Sequence, residues 1–489
     1  MAEWWDTVDL LALLALVLHL LLGSAAAVYV SANRRPSAAI AWVMAIIFIP
    51  FLGTLAYGLV GRNTLPRHRR EKQEEVNALV LERTEGLSLA SHRDEWPAWL
   101  GSAAALSLNL GALPMVGGNR AVLLDDYEAV FAAVARDVDG ARTQVHVEFY
   151  ILVRDGSTQV LFDALARAAA RGVAVRVLSD HLAGLMYPGR RDTEEFLRAA
   201  GIQWHPMLPF RPLRGDWQRP DLRNHRKLVV VDGRIGYTGS QNAIDAGYHK
   251  KPARDGGRLS WHELMVRLEG PVVRELDAVF VTDWYSETGT LLPLDTSPVV
   301  LSGEAADLDA QILPSGPSFP QENNLKLYAL LIHQARHRVG ITSPYFVPEE
   351  SILLAILTAA ARGVEVELFV SEIGDQALVH HAQRSYYEAL LRAGVRIHLY
   401  RAPQVLHAKH FTIDDDVAVI GSSNMDIRSF SLNMEVSVML HGRGLVDDVR
   451  RIQDGYRAAS RELVLGDWLQ RPLGQKVRDN LARLTSSLQ

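Results

Sequence analysis

The distribution of apolar and polar positions separates an apolar N-terminal part from a long remainder with alternating elements. Two runs without a formal charge come first: Leu10 to Ala32, interrupted only by His19 and Ser24, and then Pro36 to Gly61. Each run is long enough to cross a hydrocarbon layer of about 30 Å. Because only a short polar linker separates the runs, we expect a transmembrane helical hairpin over residues 1–65.

A cleaved signal peptide is the alternative for the first run. It fits poorly, because the preceding flank carries Glu3, Asp6 and Asp9 instead of basic residues, and because the apolar run is too long. Five basic residues follow the second run between Arg62 and Lys72, against two arginines between the runs. This excess predicts that the part of the chain after the hairpin is cytoplasmic.

A further apolar stretch, Pro97 to Val116, lies within a predicted juxtamembrane linker over residues 66–120. Its proline, glycine and asparagine residues are unfavourable for a third span. It either lies in the bilayer interface or forms the buried start of the following domain, and the sequence leaves both possibilities open.

Beyond residue 120, strands and helices alternate, and the alternation occurs twice. The strand–helix–strand series is Gln144–Leu152, Ser157–Ala170 and Val173–Leu178 in one half, and Arg338–Val347, Ile352–Ala361 and Val364–Val370 in the other. β-Branched and aromatic residues predict the strands, and apolar residues at helical spacing predict the helices.

The repetition predicts an α/β fold with two homologous lobes, each a mixed β-sheet flanked by helices. We expect the first lobe at residues 121–290 and the second at 321–489, the latter ending in a C-terminal helix. A segment rich in proline, glycine, serine and acidic residues, 291–320, is the expected linker between the lobes.

Composition narrows the possible functions. A chain of 489 residues is long enough for about three structural units. The net charge of −5 does not favour a nucleic-acid-binding protein, which usually has a basic excess. The absence of cysteine excludes disulfides, thiolate nucleophiles and cysteine-ligated metals.

One polar motif, H-x-K-x4-D-x6-G-S-x-N, occurs once in each lobe with the same internal spacing. Its copies contain His225, Lys227, Asp232, Ser240 and Asn242, and His407, Lys409, Asp414, Ser422 and Asn424. On a strand the His and Lys share one face, whereas the Asp has the opposite parity and opens a turn. The two aspartates belong to the candidate catalytic set as motif members, but this geometry makes them turn residues.

Two glutamates are the expected partners of the motif histidines, since a catalytic histidine usually needs an acidic group to orient it. Glu263 and Glu435 each precede a glycine, Gly270 and Gly442, by seven residues in matching serine-containing contexts. We predict that these two carboxylates hold the imidazoles.

Together these residues predict phosphodiester chemistry at one site built from both lobes. A neutral His225 attacks phosphorus and forms a phosphohistidine, while a protonated His407 donates its proton to the leaving alkoxide. The similarity of the two motif copies leaves the choice of nucleophile open. Both lysines and both asparagines, aided by Ser240 and Ser422, stabilise the nonbridging oxygens. No cluster has metal-ligand spacing, so we expect neither a metal nor a cofactor.

Arginines before the first motif predict a collar for an anionic headgroup. Arg214, Arg219 and Arg223 are interleaved with Phe210 and Trp217, and guanidinium groups match the geometry of phosphate. The alternative is a solvated loop. The histidines outside the motifs have no evident partner, and we expect them to be structural or solvated.

The paired motif resembles that of the phospholipase D superfamily, and nearly the whole chain resembles its bacterial cardiolipin synthases. Beyond the apolar runs and both motifs, the resemblance rests on Ala41-Trp42, Phe51-Leu52-Gly53, Gly117-Gly118-Asn119, Glu148-Phe149-Tyr150, Pro314-Ser315-Gly316-Pro317, Pro344-Tyr345-Phe346-Val347-Pro348 and Trp468. In place of the family's usual Arg-Asp pair, the first lobe has Ser260-Trp261-His262-Glu263. This departure bears on the orienting role of Glu263.

The resemblance implies that two phosphatidylglycerol molecules are joined into cardiolipin and glycerol at the bacterial inner membrane, without a nucleotide. It implies phosphatidylglycerol and other anionic membrane lipids as partners, no nucleic acid, and leaves the oligomeric state open. Water must be kept from the site, or hydrolysis replaces transfer. The alternatives are a phospholipase D or a phosphatidyltransferase with another acceptor, then a membrane-tethered nuclease, then a non-catalytic scaffold.

Overall fold

The computed structural model describes residues 2–33, 36–49, 51–61, 65–84, 90, 92–211, 219–248, 258–294, 301, 307–319 and 322–485. The chain forms two compact units, Met1–Thr64 and Leu65–Gln489.

The first unit consists of the apolar helices α1 (Ala2–Asn33), α2 (Pro36–Phe48) and α3 (Leu52–Val60). Among the described residues, one helical segment, Ala12–Ala32, is long and apolar enough to cross a membrane. Val30 of α1 is buried in one cluster with Ala39 and Ile46 of α2.

The second uncharged run differs from the single span that its length predicts. It is divided into α2 and α3, with Phe51 between them at φ 63°. The sequence has a proline at position 50, which has no amide hydrogen for a helical hydrogen bond, and this accounts for the division.

The second unit begins with α4 (Arg67–Thr84), a short 3-10 turn (Arg93–Glu95) and α5 (Leu100–Asn109). In α5, Leu100 and Ala103 are fully buried in one core cluster with Leu327 and Leu331. One face of this stretch is therefore packed into the core of the folded domain, as the second of the two possibilities requires.

The first lobe follows. Its elements are β1 (Val116–Leu124), α6 (Tyr127–Asp139), β2 (Gln144–Phe149), α7 (Gln159–Ala170), β3 (Ala174–Asp180), α8 (His181–Met186), α9 (Arg190–Ala199), β4 (Gln203–Met207), β5 (Lys227–Val231), β6 (Ile235–Gly239), β7 (Ser260–His262), β8 (Met265–Glu269) and α10 (Val272–Thr288). Local signals set several boundaries; for example, the Asp126 carboxylate accepts hydrogen bonds from the first amides of α6.

The second lobe repeats the main strands and helices of this series and adds further short elements. Its elements are β9 (Leu308–Ser315), α11 (Asn323–Gln334), β10 (Arg338–Thr342), β11 (Phe346–Val347), α12 (Glu350–Ala361), β12 (Glu365–Ser371), α13 (Ala377–Arg392), β13 (Arg396–Tyr400), β14 (Gln404–Leu406), β15 (His410–Ile413), β16 (Val417–Gly421), β17 (Met425–Asp426), α14 (Ile427–Ser431), β18 (Glu435–His441), α15 (Arg443–Ala459), β19 (Ser460–Glu462), α16 (Leu465–Leu469) and α17 (Leu473–Arg483).

Within the described residues, both lobes contribute to one mixed 15-stranded sheet. The order is β4-β3-β2-β5-β6-β8-β1 in the first lobe and β13-β12-β10-β15-β16-β18-β9 in the second, with β19 outside β13. Strands β2, β3 and β4 run parallel, as do β10, β12 and β13. The antiparallel pair of β1 and β9 joins the two halves.

A central core connects the lobes. Leu228 and Val266 of the first lobe are fully buried in one apolar cluster with Ile420 and Val438 of the second, together with residues of α10 and α15. Because the two halves share this core, the strand ends that carry the two motifs are held in a fixed arrangement.

Candidate active site

Each motif occupies a hairpin: β5 and β6 in the first lobe, β15 and β16 in the second. At the first turn, Asp232 and Gly233 have φ angles of 51° and 59°, and Asp414 at the second turn has a φ of 48°. The motif aspartates are therefore turn residues, as their parity in the sequence predicts.

The position of these aspartates corrects their inclusion in the candidate catalytic set. The Asp232 carboxylate accepts hydrogen bonds of 2.8–2.9 Å from the backbone amides of residues 142–144. Asp414 accepts equivalent bonds of 2.8–2.9 Å from residues 336–338. Both side chains bind the backbone of the loop that precedes a central strand, β2 or β10. Neither side chain lines the cavity described below.

His225 lies just before β5, in a segment that pairs with the other lobe. Asn224 forms an isolated parallel bridge with Met434. The His225 amide donates to the Met434 carbonyl oxygen at 2.8 Å. This pairing brings the His225 Nδ1 to 3.0 Å from Oε2 of Glu435, the next residue of the partner strand.

His407 is positioned by the reciprocal contact. Strand β14 runs parallel to β7, and the His407 amide donates to the His262 carbonyl oxygen at 2.8 Å. The His407 Nδ1 is then 2.6 Å from Oε1 of Glu263. Each imidazole is thus held by a carboxylate of the opposite lobe, including the one in the unusual Ser260-Trp261-His262-Glu263 segment.

Both histidines line one cavity of about 340 Å³. Asn242 and Asn424 of the two motifs also line it. Further lining residues include the aromatic Tyr150, Tyr187, Tyr248, Trp261 and Tyr345, the acidic Asp375 and Asp426, and the basic Arg223 and Arg428. The structure therefore brings the two histidines and the two asparagines of the motifs to a single cavity.

The motif lysines lie behind the histidines. Lys227 and Lys409 are almost fully buried. Each Nζ donates to the backbone oxygen of the motif histidine two residues earlier at 2.6 Å. Burial lowers the pKa of Lys409 to about 8 and the pKa of Lys227 well below its ordinary value. An anion bound in the cavity would favour the protonated form of both lysines.

The motif serines do not reach the cavity, which corrects their assignment as substrate-binding residues. The Ser422 hydroxyl donates to Oε2 of Glu435 at 2.5 Å and accepts from the Val436 amide at 3.0 Å. Ser240 accepts the equivalent bond from the Leu264 amide at 3.0 Å. Both serines brace the strand segment that carries an orienting glutamate.

Of the predicted collar arginines that the structure describes, Arg219 and Arg223, one lies at the cavity. Arg223 lines the cavity, and Asp180 holds its guanidinium at 3.3 Å. Arg219 is engaged by Asp221, with Nε at 2.6 Å from Oδ1, and is not among the lining residues. Arg214 lies outside the described residues.

The two His–Glu pairs differ electrostatically. Burial lowers the pKa of His225 to about 4, against the opposing effect of Glu435. Burial acts to raise the pKa of Glu435, but His225 and Lys227 outweigh it and hold that pKa below its ordinary value. Burial raises the pKa of Glu263 to about 7, against the effect of Lys409. The two pairs thus differ in the balance of burial and neighbouring charge that acts on their carboxylates: the pKa of Glu435 is lowered and that of Glu263 is raised.

Several cavity residues were absent from the predicted site. Tyr150 packs its ring at 4.9 Å from the His225 ring, and Tyr345 lies at 6.2 Å from His407. Both lie near the end of a predicted strand, 144–152 or 338–347, and an aromatic residue at this place in each half is the signal that could have identified them. Arg428 and Asp426 lie just beyond the second motif, and the motif spacing gave no indication of their role.

Comparison with known proteins identifies the family. Residues 134–284 and 328–455 match the family described as "Cardiolipin synthase, PLD-like domain", and residues 11–62 match "Phospholipase_D-nuclease N-terminal". The chain belongs to the cardiolipin synthase family of the phospholipase D superfamily.

Individual relatives agree with this placement. The chain is 33% identical over 461 residues to cardiolipin synthase A of Proteus mirabilis, covering 93% of this chain and 94% of the relative. It is 32% identical over 460 residues to cardiolipin synthase A of Escherichia coli O1:K1, with the same coverage. The crystal structure of phosphatidylserine synthase from Haemophilus influenzae has the same fold, with a TM-score of 0.61 at 15% identity, covering 79% of this chain and 99% of that one.

Proposed function

We propose that this protein is a phosphatidyltransferase that joins two phosphatidylglycerol molecules into cardiolipin and glycerol through a phosphohistidine intermediate. One observation carries the mechanism: two imidazoles, each held by a glutamate of the opposite lobe, line the same cavity. The named relatives, which match over nearly their whole length, support the lipid substrate.

The first half-reaction breaks the bond between phosphorus and the glycerol headgroup. The Nδ1–H group of His225 donates a hydrogen bond to Glu435 and keeps its hydrogen. The Nε2 atom therefore carries the lone pair and attacks phosphorus. The bond between phosphorus and the glycerol oxygen breaks, and the electron pair leaves with that oxygen. His407, supported by Glu263, gives the oxygen a proton, and glycerol departs.

The second half-reaction uses the same groups in reverse. A second phosphatidylglycerol brings its terminal hydroxyl to His407, which now lacks a proton and accepts one from it. The hydroxyl oxygen attacks phosphorus, the bond to His225 breaks, and cardiolipin is released. One phosphodiester replaces another, so the exchange needs no nucleotide.

Charge on the phosphoryl oxygens is stabilised by groups from both lobes. Asn242, Asn424 and Arg223 line the cavity and can donate hydrogen bonds to it. Lys227 and Lys409 supply positive charge from behind the histidines. One preorganised donor of this kind is worth about 3 kcal/mol of barrier.

Exclusion of water distinguishes transfer from hydrolysis. Five aromatic side chains line the cavity, and two of them, Tyr248 and Trp261, pack against each other at 5.5 Å. This wall favours an acceptor that arrives with its own apolar lipid over bulk water.

We further propose that the two uncharged runs form a membrane hairpin and that the lobes face the cytoplasm. The apolar length of α1, the packing of α2 against it and the basic flank after residue 61 support this topology. Anchoring would confine the site to the surface where its substrate lies.

Product analysis with the purified protein tests the proposal. Labelled phosphatidylglycerol in detergent micelles, with EDTA present, should give cardiolipin and glycerol in equal amounts, and His225→Ala should give neither. Phosphatidic acid as the main product would identify a phospholipase D instead, and loss of activity in EDTA would contradict the metal-independent mechanism.

The second candidate function is phosphatidyl transfer to a different acceptor lipid. Two carboxylates that line the cavity favour it. Asp375 accepts a hydrogen bond from Tyr345 at 2.8 Å, and burial raises the pKa of Asp426 to about 6. Carboxylates can bind either the hydroxyls of glycerol or the ammonium group of ethanolamine. Competition between phosphatidylglycerol and phosphatidylethanolamine as acceptors, read by mass spectrometry of the products, separates the two.

A further inference from the structure

A second cavity, of about 860 Å³, lies next to the catalytic one in the second lobe. Residues of α13, α16 and α17 line it, together with residues that follow β12 and β13. Five basic side chains line it, Arg384, Arg461, Arg478, His380 and His381, together with one carboxylate, that of Glu372. No step of the proposed reaction uses this cavity.

The start of α13 separates the two cavities. Asp375, Gln376, Leu378 and Val379 line the catalytic cavity, whereas Gly374, Ala377, His380 and His381 line the basic one. A ligand in the basic cavity would therefore bind one helix away from the histidines without entering their site.

Positive charge in the basic cavity exceeds the charge of the nearby carboxylates. Arg384, Arg471 and His381 share a single buried carboxylate, that of Asp479, at 3.2, 2.7 and 2.9 Å. Arg461 pairs with Glu372 at 3.1 Å, and both residues line the cavity. Guanidinium groups bind phosphate with good geometry, so a phosphate ester fits this lining better than a neutral or cationic ligand.

Helix α17 forms one wall of the basic cavity and has an exposed apolar face. Four apolar side chains recur every three or four residues with exposures of 48–78%: Leu473, Val477, Leu481 and Leu484. On the opposite face, Asp479 and Ala482 are buried. In helical projection, Lys476 and Arg483 flank the apolar stripe on one side and Arg478 flanks it on the other.

An apolar stripe between basic residues is typical of a helix that lies in the interface of an anionic bilayer. Arg478 belongs both to the edge of this stripe and to the lining of the basic cavity. The same wall could therefore contact acyl chains with its stripe and a headgroup with its arginine.

We propose that the basic cavity is a second binding site for the phosphate of an anionic phospholipid, and that the stripe of α17 lies in the bilayer interface beside it. The inference rests on the proposed function only in that the protein acts at a phospholipid surface. It does not require that the bound lipid react.

Native mass spectrometry of the full chain in detergent tests the site. The His225→Ala background prevents turnover, and the double variant R461Q/R478Q is compared with R142Q/R234Q, which changes two exposed arginines of the first lobe. We expect two phosphatidylglycerol-binding events in the background and in the control. In R461Q/R478Q, one event should weaken by about tenfold or more, since each lost charged hydrogen bond to phosphate costs about that factor.

Three outcomes would overturn the second site: a single binding event in the background, equal weakening in the control, or equal occupancy by phosphatidylcholine. If water-soluble glycerophosphoglycerol at an equal concentration displaces phosphatidylglycerol from the second site, the site binds free phosphodiesters and the lipid assignment is overturned. Cardiolipin formation is measured separately on the R461Q/R478Q protein with His225 intact, so failure of the proposed reaction is distinguishable from failure of the second site.

A fluorescent reporter tests the stripe. The chain has no cysteine, so V477C can be labelled specifically, with L354C of α12, 61% exposed, as the matched control. In vesicles that contain phosphatidylglycerol and a brominated lipid, we expect quenching at position 477 and none at 354. Equal quenching at both positions, or burial of the label at 477 that depends on protein concentration and not on lipid, would contradict the proposal and favour a second copy of the chain as the occupant.

Discussion

The two His–Glu pairs contain the same groups, but the surroundings of their carboxylates differ. Glu435 keeps its negative charge because His225, Lys227 and the Ser422 hydroxyl stabilise it. Glu263 has a pKa near 7 because burial disfavours its charge. This asymmetry supports the proposal that His225 is the nucleophile and that the pair of His407 and Glu263 supplies the proton, a choice that the near-identical motifs leave open.

Replacing Glu263 with Gln should therefore lower activity and also remove the decline of the rate that the wild type shows as the pH rises. In the wild type, the second pair holds its proton below about pH 7 and loses it as the pH rises through that value, so glycerol release should slow above it. We expect Glu263→Gln to lower the rate by about 10²-fold or more and to abolish this limb. Single-turnover glycerol release across pH measures both.

The matched variant is Glu435→Gln. It should also be slow, but it should retain the limb near pH 7, because Glu263 is intact. A profile in which Glu435→Gln, and not Glu263→Gln, loses that limb would reverse the roles of the two histidines.

Asp232 offers a stability test at the residue scale. Backbone and Thr143 hydrogen bonds outweigh burial and hold its pKa below the ordinary value. Its contribution is therefore present above the unfolded pKa near 4 and is lost as the pH falls through the folded pKa. We expect Asp232→Asn to lower the free energy of unfolding by about 2 kcal/mol at neutral pH.

Denaturant titration at several pH values checks this expectation. Asp415→Asn, in the equivalent turn of the second lobe, removes a half-exposed partner of Arg450 and should cost less than about 1 kcal/mol. Equal effects of the two variants, or an Asp232→Asn effect that grows toward acid, would contradict the account.

At the scale of elements, the site depends on segments exchanged between the lobes. The three-residue strand β14 pairs with β7, and Asn224 bridges to Met434. The bridge at Asn224 explains why β5 begins only at Lys227: the segment just before it, which contains His225, pairs with the other lobe. Strand periodicity predicts local elements, but such short pairings between distant segments leave no periodic signal in the sequence.

The motif glycines allow a close approach between neighbouring strands within each lobe. A Cβ atom on Gly239 would lie 2.3 Å from the Leu264 carbonyl oxygen, and one on Gly421 would lie 2.4 Å from that of Val436. The glycine thus lets the following serine bond the neighbouring strand next to the orienting glutamate. The sequence pattern G-S indicates that a glycine is needed here, but it does not indicate which strand the glycine approaches.

We predict that Gly239→Ala lowers the free energy of unfolding by about 3 kcal/mol and activity by more than about tenfold, because backbone must move. Gly236→Ala in the same strand is the control, since its Cβ would meet the movable Leu276 side chain at 3.0 Å. For the control we expect the free energy of unfolding to fall by about 1 kcal/mol and activity to stay near normal. Thermal unfolding and cardiolipin formation are measured on both proteins. Equal losses of stability and activity in the two variants would contradict the account.

At the scale of the whole molecule, the internal repeat predicts the mixed α/β fold, which the structure confirms as two corresponding halves of one sheet. Sequence resemblance likewise predicts the family that the comparisons identify. The repeat could not predict which polar side chains face inward: Arg219 and both motif serines are engaged elsewhere, whereas Arg428 lines the cavity. These outcomes depend on tertiary packing, which residue type and spacing do not encode.

Topology is testable on the whole chain because it lacks cysteine. With the lobes in the cytoplasm, L354C in α12 should be labelled by a membrane-impermeant maleimide only after spheroplasts are permeabilised. A cysteine placed at position 34, between the two uncharged runs, should be labelled in intact spheroplasts. The opposite pattern would invert the orientation, and protection of both positions would exclude the hairpin.

Identification of the covalent intermediate is the most direct test of the mechanism. Phosphatidylglycerol carrying labelled phosphorus is mixed with the enzyme, quenched in alkali within one turnover and mapped by peptide mass spectrometry. We expect an acid-labile phosphoramidate on the peptide that contains His225, absent in His225→Ala. Label on His407 instead, or cardiolipin formation without any labelled protein, would contradict the account.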